Sequence, residues 1–372
     1  MLAGRQAQLM DVISAAGQPG QHVALYGERG VGKTSFANVL AEVFNQIGVG
    51  GYRGVGVNCS TDDNFDSIWR NIFRELDEDI EYVAITPEDV RHAIESFGSP
   101  ALIVIDELDR LEDESSLSLL ADTIKTFSDH SVNSTLVVVG VARSIDELIG
   151  EHESIERALV QVEMPRMSRG ELREIIEKGC SYAELTALDL AIDKITKFSE
   201  GLPHYTHLLG LYAGQRAVMD DRTEIMVVDV DAAVDQAVAK HTIRSDYRRA
   251  TRSTRTDTLY SQVLLACALA EKDALGFFPA GALRDPLEMI TGKRYEIPAF
   301  APHLKKFLEP GRGSVLRREG EPRSYFYRFA NPLLQPYVIL NGLSEKVISD
   351  ETLASLEQRS TVHETSEPEP LF

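Results

Sequence analysis

The 372-residue chain has only three cysteines, Cys59, Cys180 and Cys267, scattered and without a C-x-x-C pair. That argues against a disulfide framework or a clustered zinc site and fits a reducing, cytoplasmic setting. No apolar run approaches the ~20 residues that span a bilayer, so no membrane partner is expected. The N-terminus lacks the charged-then-apolar pattern of a secretory signal. Cations are scarce: 38 Lys and Arg stand against 58 Asp and Glu, a net charge of −20. Taken whole, a surface of that sign opposes nonspecific nucleic-acid binding. The deficit is uneven, however. Residues 240–255 carry six bases and one acid, and residues 293–328 carry nine bases and four acids. Any DNA-facing surface would therefore be local. Tryptophan occurs once, as Trp69 on the apolar stripe Ile68, Trp69, Ile72, Phe73, and reads as core.

What is present is a phosphate loop. Gly27-Glu28-Arg29-Gly30-Val31-Gly32-Lys33-Thr34 has the form G-x-x-x-x-G-K-[ST]. Gly27, Gly30 and Gly32 let the backbone bend so that successive amides, those of Val31 and Ser35 among them, face one anion. Lys33 adds a point charge for the β- and γ-phosphates, and the Thr34 hydroxyl suits Mg²⁺. The apolar run His22–Tyr26 precedes the loop and predicts a buried strand. Phe36, Val39, Leu40, Val43 and Phe44 follow at helical spacing. The loop thus opens a helix, whose N-terminus favours a phosphate. ATP or ADP with Mg²⁺ is the expected ligand.

Strand-like runs at His22–Tyr26, Tyr52–Asn58, Ala101–Ile105, Thr135–Gly140 and Val160–Glu163 alternate with helical patterns, which predicts an α/β fold with a parallel sheet over residues 1–165. From 166 to 240 the pattern is helical. Ser168-Arg169-Gly170-Glu171 is a capping box, a second helix near 187–199 ends at Gly201, Pro203 opens a third, and Asp229 reads as the cap of a fourth. The Arg-rich stretch 241–256 reads as a linker. Helical patterns at 258–269, 280–291 and 298–308 and a hairpin at 314–318 and 324–329 give residues 257–344 the order of a winged helix. The acidic stretch 345–372 reads as a tail whose last dozen residues are disordered.

A second signal completes the first. Ala101–Ile105 runs into Asp106 and Glu107; in phosphate-loop ATPases an acid at this strand end holds Mg²⁺, and a neighbouring glutamate positions the attacking water. Asp106 takes the first role and Glu107 the second.

The combination of Gly4-Arg5, the loop at 27–34 and Asp106-Glu107-Leu108-Asp109-Arg110-Leu111 resembles the AAA+ ATPases of the origin-recognition and helicase-loader type, over roughly residues 4–340. The resemblance implies that Arg5 packs near the adenine. It implies that Asn58, ending the second strand, pairs with Glu107 as a nucleotide-sensing switch; a plain turn residue is the other reading. It also implies that Arg157, just before the fifth strand, is an arginine finger acting on a neighbouring subunit's ATP, so that the loaded protein is a homo-oligomer.

Two departures bear on rate. No polar sensor ends the fourth strand, which reads Gly140-Val141-Ala142-Arg143-Ser144, and the lid lacks its usual arginine. Gly201-Leu202-Pro203 instead resembles the STAND signalling ATPases. His204, just after it, is a candidate phosphate contact or a packed helix-start residue. Together these imply slow hydrolysis and a switch. In the winged helix, Lys305, Lys306, Arg312, Arg317, Arg318 and Arg323 suit DNA, whereas Glu309, Glu319 and Glu321 interrupt the patch and suit a protein partner. A DNA-directed loader, a signalling or defence switch, and an ATP-gated adaptor are the resulting functional readings.

Overall fold

The computed structural model describes residues 3–47, 51–77, 84–142, 155–253, 259–273, 276–321 and 324–355. The chain divides into two compact units, Met1–Arg166 and Met167–Phe372.

The first unit is a five-stranded sheet in the order β2-β3-β4-β1-β5, all pairings parallel. Its strands are β1 (His22–Tyr26), β2 (Arg53–Asn58), β3 (Ala101–Asp106), β4 (Thr135–Gly140) and β5 (Leu159–Glu163). Every residue of β3 and β4 is buried, as expected of strands covered on both faces, which read as continuous Val/Ile/Leu runs. Two helices on this sheet start from strong caps. Asn64 and Ser67 form a capping box before Phe65–Glu75, and Thr86 and Asp89 form another before Pro87–Ser96. The first of these helices sends Phe65, Trp69, Ile72 and Phe73 into the core. Register places the site. Tyr26 pairs with Gly140 on one side and Glu163 on the other, and Asn58 pairs with Asp106. The carboxyl ends of all five strands therefore share one rim, and the glycine-rich loop leaves from the central region of it, where open α/β sheets bind ligands.

His22 in β1 is fully buried. Its Nδ1 accepts the Leu136 amide at 3.1 Å, and its ring lies 5.9 Å from Phe127. Burial pushes its pKa down to about 3 from 6.5. Above pH 6.5 the ring is neutral folded or unfolded, so it costs nothing. Below that, the unfolded chain takes up a proton that the folded chain refuses, and stability falls by up to about 1.4 kcal/mol per pH unit. We expect urea midpoints, read by the single Trp69, to drop between pH 7 and 5. Asn at position 22, whose carbonyl keeps the Leu136 bond, should flatten that part of the profile. An unchanged profile in His22→Asn would show that other groups drive it.

The second unit begins with four helices, Arg169–Tyr182, Asp189–Phe198, Pro203–Met219 and Val227–Lys240, with the two-residue strands β6 (Thr186–Ala187) and β7 (Glu224–Ile225) paired in parallel between them. Ser168 and Glu171 form the predicted capping box. Asp229 lies inside the last helix, not at its cap. Its carboxylate accepts the Met226 amide and holds Arg222 at 2.6 Å. The Arg-rich stretch predicted as a linker contains a helix, Arg244–Thr251. It forms because Ala250 is buried, Tyr247 lies against Tyr337, and Arg312 donates to the Ala250 carbonyl at its end. Helix Tyr260–Leu269 is followed by β8 (Phe278–Pro279), then by helices Arg284–Thr291 and Ile297–Phe307, then by β9 (Leu316–Glu319) and β10 (Phe326–Phe329); the three strands form an antiparallel sheet in the order β8-β10-β9. This is a winged-helix arrangement. Helix Leu334–Ser344 returns to the four-helix part, where Tyr205 donates to the Leu333 carbonyl at 2.6 Å and Ser344 to Asp235 at 2.6 Å. Residues 356–372, including the predicted disordered end, lie outside the described residues.

Candidate nucleotide site

The loop from Gly27 to Gly32 joins β1 to the helix Lys33–Ile47. Gly30 and Gly32 hold φ of 92° and 97°, which only glycine adopts freely. At Gly27 a Cβ would collide with the Met164 carbonyl. No side chain fits there, and the close approach fixes the start of the loop against the end of β5. Val31 is buried while Thr34 and Ser35 face solvent at the helix start.

Lys33 is 7% exposed and donates to the loop's own Gly27 and Glu28 carbonyls, each at 2.9 Å. Burial pushes its pKa down to about 8 against the pull of Asp109, Asp106 and Glu28. The ammonium is thus held in the cradle by neutral acceptors that a phosphate oxygen would outcompete, since an anionic acceptor makes the stronger bond.

Asp106 is 4% exposed. Its Oδ1 accepts the Glu107 amide at 2.7 Å, while its buried Oδ2 accepts no hydrogen bond. Burial pushes its pKa up; the Thr34 hydroxyl, the Glu107 amide and Lys33 counter the rise. A buried carboxylate oxygen left without a donor is costly and has the character of a ligand position. With the nearby hydroxyl of Thr34 it makes a hard-oxygen pair, the donor type that Mg²⁺ prefers. Those two residues fit the metal.

Glu107 sits at φ 56°, a left-handed conformation that costs an ordinary residue about 1–2 kcal/mol. Such strain concentrates at functional sites. Its carboxylate pairs with Arg110 at 2.8 Å. The implied Asn58–Glu107 contact is absent among the described residues: Asn58 is exposed at the end of β2, and Arg110 holds the glutamate. Arg5 is buried, and its guanidinium donates to the Val31 carbonyl at 3.2 Å and to the Pro165 carbonyl. It therefore ties the phosphate loop to the chain leaving β5. Arg157 lies on the turn before β5, where the resemblance places a finger. Its side chain is exposed and makes no bond among the described residues, while its carbonyl accepts from Gln21 at 3.2 Å.

Residues 17–149 match the family described as an AAA domain. Those residues are similar to an AAA domain. No curated protein matches the sequence. The fold is similar to that of the Aeropyrum pernix ORC2 protein, solved as ADPNP–ADP complexes, with 16% identity and a TM-score of 0.55, covering 97% of this chain and 95% of that one. It is also similar to Cdc6p from Pyrobaculum aerophilum, at 15% identity and a TM-score of 0.51, covering 97% and 95%. At those identities the likeness is one of fold, and it spans nearly the whole chain: an α/β core, a helical lid and a winged helix.

Around the AAA site the structure adds residues that the motifs did not single out. Glu28, inside the loop, makes a two-point pair with Arg166, at 2.7 and 3.2 Å. Asp109 accepts the Val141 amide at 2.8 Å, tying the turn after β3 to the residue that follows β4. Asp109 and Arg110 stand within the quoted acidic motif, so their presence was visible and their partners were not. Arg143 and Ser144 lie outside the described residues. His204, in the second unit, starts the helix Pro203–Met219. Its Nε2 lies 3.3 Å from that of His241, its ring is edge-on to Tyr205, and burial pushes its pKa down. All three cysteines are buried and unpaired as disulfides. No helix among the described residues is long and apolar enough to cross a membrane.

Proposed function

We propose that this AAA+ ATPase is a Mg·ATP-dependent switch that self-associates when loaded and acts on a partner through its winged helix. The observation that carries the reading is the buried, donorless Oδ2 of Asp106 beside Thr34 and Lys33. Gly27, Gly30, Val31, Gly32, Lys33, Thr34 and Ser35 take the phosphates. Thr34 and Asp106 take the metal, which when bound neutralises phosphate charge. Arg5 supports the nucleotide pocket, and His204 is a candidate lid contact. Glu107, released from Arg110, positions the hydrolytic water, and a neighbour's Arg157 completes the site. Without a described sensor at the end of β4, turnover is slow.

The wing favours a protein partner over DNA. Arg312 lies 3.4 Å over the Tyr260 ring and donates to the Ala250 and Arg252 carbonyls. Arg318 stacks on Tyr325 at 4.0 Å, and Lys306 pairs with Glu309 at 2.8 Å. Cations engaged in this way are poorly placed for phosphates. Lys305 and Arg317 remain exposed for a DNA-loading role; Arg323 lies outside the described residues. Mass measurement of wild type and Glu107→Gln, with ATP and with or without duplex DNA, tests the reading. Larger species should form with ATP and persist in Glu107→Gln. Strictly monomeric protein in every condition would sink it, and a species that needs DNA would favour the loader.

A further inference from the structure

Of the twelve large apolar side chains exposed among the described residues, eight lie between 182 and 228. The fold gathers most of them at one end of the helical lid. Helices Arg169–Tyr182 and Pro203–Met219 end there, turn through the left-handed residues Glu184 and Asp221, and run into the paired strands β6 and β7. The Leu188 amide donates to the Ile225 carbonyl at 3.0 Å, so Leu188 and Met226 stand side by side where the next two helices begin. Tyr182, Met219, Leu188, Leu190, Met226 and Val228 therefore share this end, and Tyr182, Leu190, Met219 and Val228 are 71%, 70%, 76% and 62% exposed. They are not needed for the lid's core, which Leu172, Ile176, Ile192, Ile195, Leu209 and Val230 already fill. Exposed apolar side chains gathered at one end of a fold, two methionines and a tyrosine among them, mark an interaction surface.

Its charge selects the partner. The cations that reach this end are held by acids: Lys178 by Glu174, Arg173 by Asp189 and Asp193, Lys194 by Asp231, Arg216 by Asp220, and Arg222 by Asp220 and Asp229. Glu184, Asp221 and Glu224 have no ion-pair partner among the described residues. The rim is therefore negative around an apolar centre. We infer that the lid end docks an amphipathic helix of a partner protein, apolar on one face and flanked by Lys or Arg. The chain's own acidic 356–372 segment has the wrong sign, and an anionic membrane surface would be repelled.

The test uses the full chain and a fluorescent Leu/Lys amphipathic helical peptide, with a Leu/Glu version of the same pattern as control. Anisotropy should show salt-sensitive binding of the Leu/Lys peptide alone. The double substitution Leu190→Ser and Val228→Ser should weaken it by roughly tenfold or more, about 1.4 kcal/mol, with unfolding midpoint and ATP affinity unchanged. The inference is overturned by no binding, by equal binding to the double variant, or by binding of the Leu/Glu peptide. It is likewise overturned if wild type dimerises and the double variant does not, because the occupant is then a second copy.

Discussion

Replacing Arg157 with alanine is expected to lower assembly-stimulated ATP turnover by roughly 10³-fold or more and to leave ATP affinity within about a factor of two. The magnitude is that of arginine fingers in other phosphoryl-transfer systems, about 10³–10⁵. The asymmetry follows from position. Arg157 is exposed before the edge strand β5 and makes no bond within its own unit among the described residues, so its loss disturbs neither loop nor fold. A charge supplied mainly to the transition state changes turnover, not ground-state binding. Steady-state hydrolysis against protein concentration, with nucleotide affinity measured separately, reads both quantities. Mixing with Glu107→Gln subunits is decisive. Those subunits lack the carboxylate proposed to position water but carry an intact arginine, so activity should return at the sites of Arg157→Ala subunits beside them. If mixing restores nothing, the finger does not act across subunits.

Asp106→Asn is expected to stabilise the nucleotide-free protein and to abolish Mg²⁺-dependent turnover by about 10²-fold or more. Two effects of opposite sign arise from one atom. The Oδ2 is buried without a donor, and burial drives the carboxyl pKa upward, so the ionised form is held at a cost. An amide removes the charge and keeps an oxygen for the Glu107 amide, which Oδ1 now accepts at 2.7 Å. Relief of roughly 1–3 kcal/mol should raise the thermal midpoint by several degrees. Thermal unfolding with and without Mg·ATP checks it. Wild type should gain from Mg·ATP and the variant should gain little. A variant that is less stable without ligand would show that the carboxylate serves the fold instead.

Local motifs carried much of this site in the sequence. Lys33, Thr34, Asp106 and the three loop glycines are specified by short patterns, because phosphate and metal chemistry require those atoms at close spacing along strand ends. The strands β1 and β4 were legible to the residue, since buried parallel strands read as unbroken apolar runs between turn residues. What was not legible is what depends on distant partners. Glu28 and Arg166 are 138 positions apart. Arg5 reaches Val31 and Pro165 from the far end of the chain. Glu107, expected to pair with the distant Asn58, pairs instead with Arg110, three residues along the chain. The helix Arg244–Thr251 has almost no apolar periodicity. Tyr337 and Arg312, both far downstream, stabilise it, and tertiary contacts override weak local preference.

The pairing of Glu28 with Arg166 has a mechanical consequence. Arg166 is the last residue of the first unit, and Met167 begins the second. The segment that follows β5 is thus clamped through Arg166 to the glycine-rich loop. Met164 is held as well, its amide bonded to the Tyr26 carbonyl at 2.8 Å. A displacement of the loop therefore acts on two fastened points just past β5, the Arg166 side chain and the Met164 backbone.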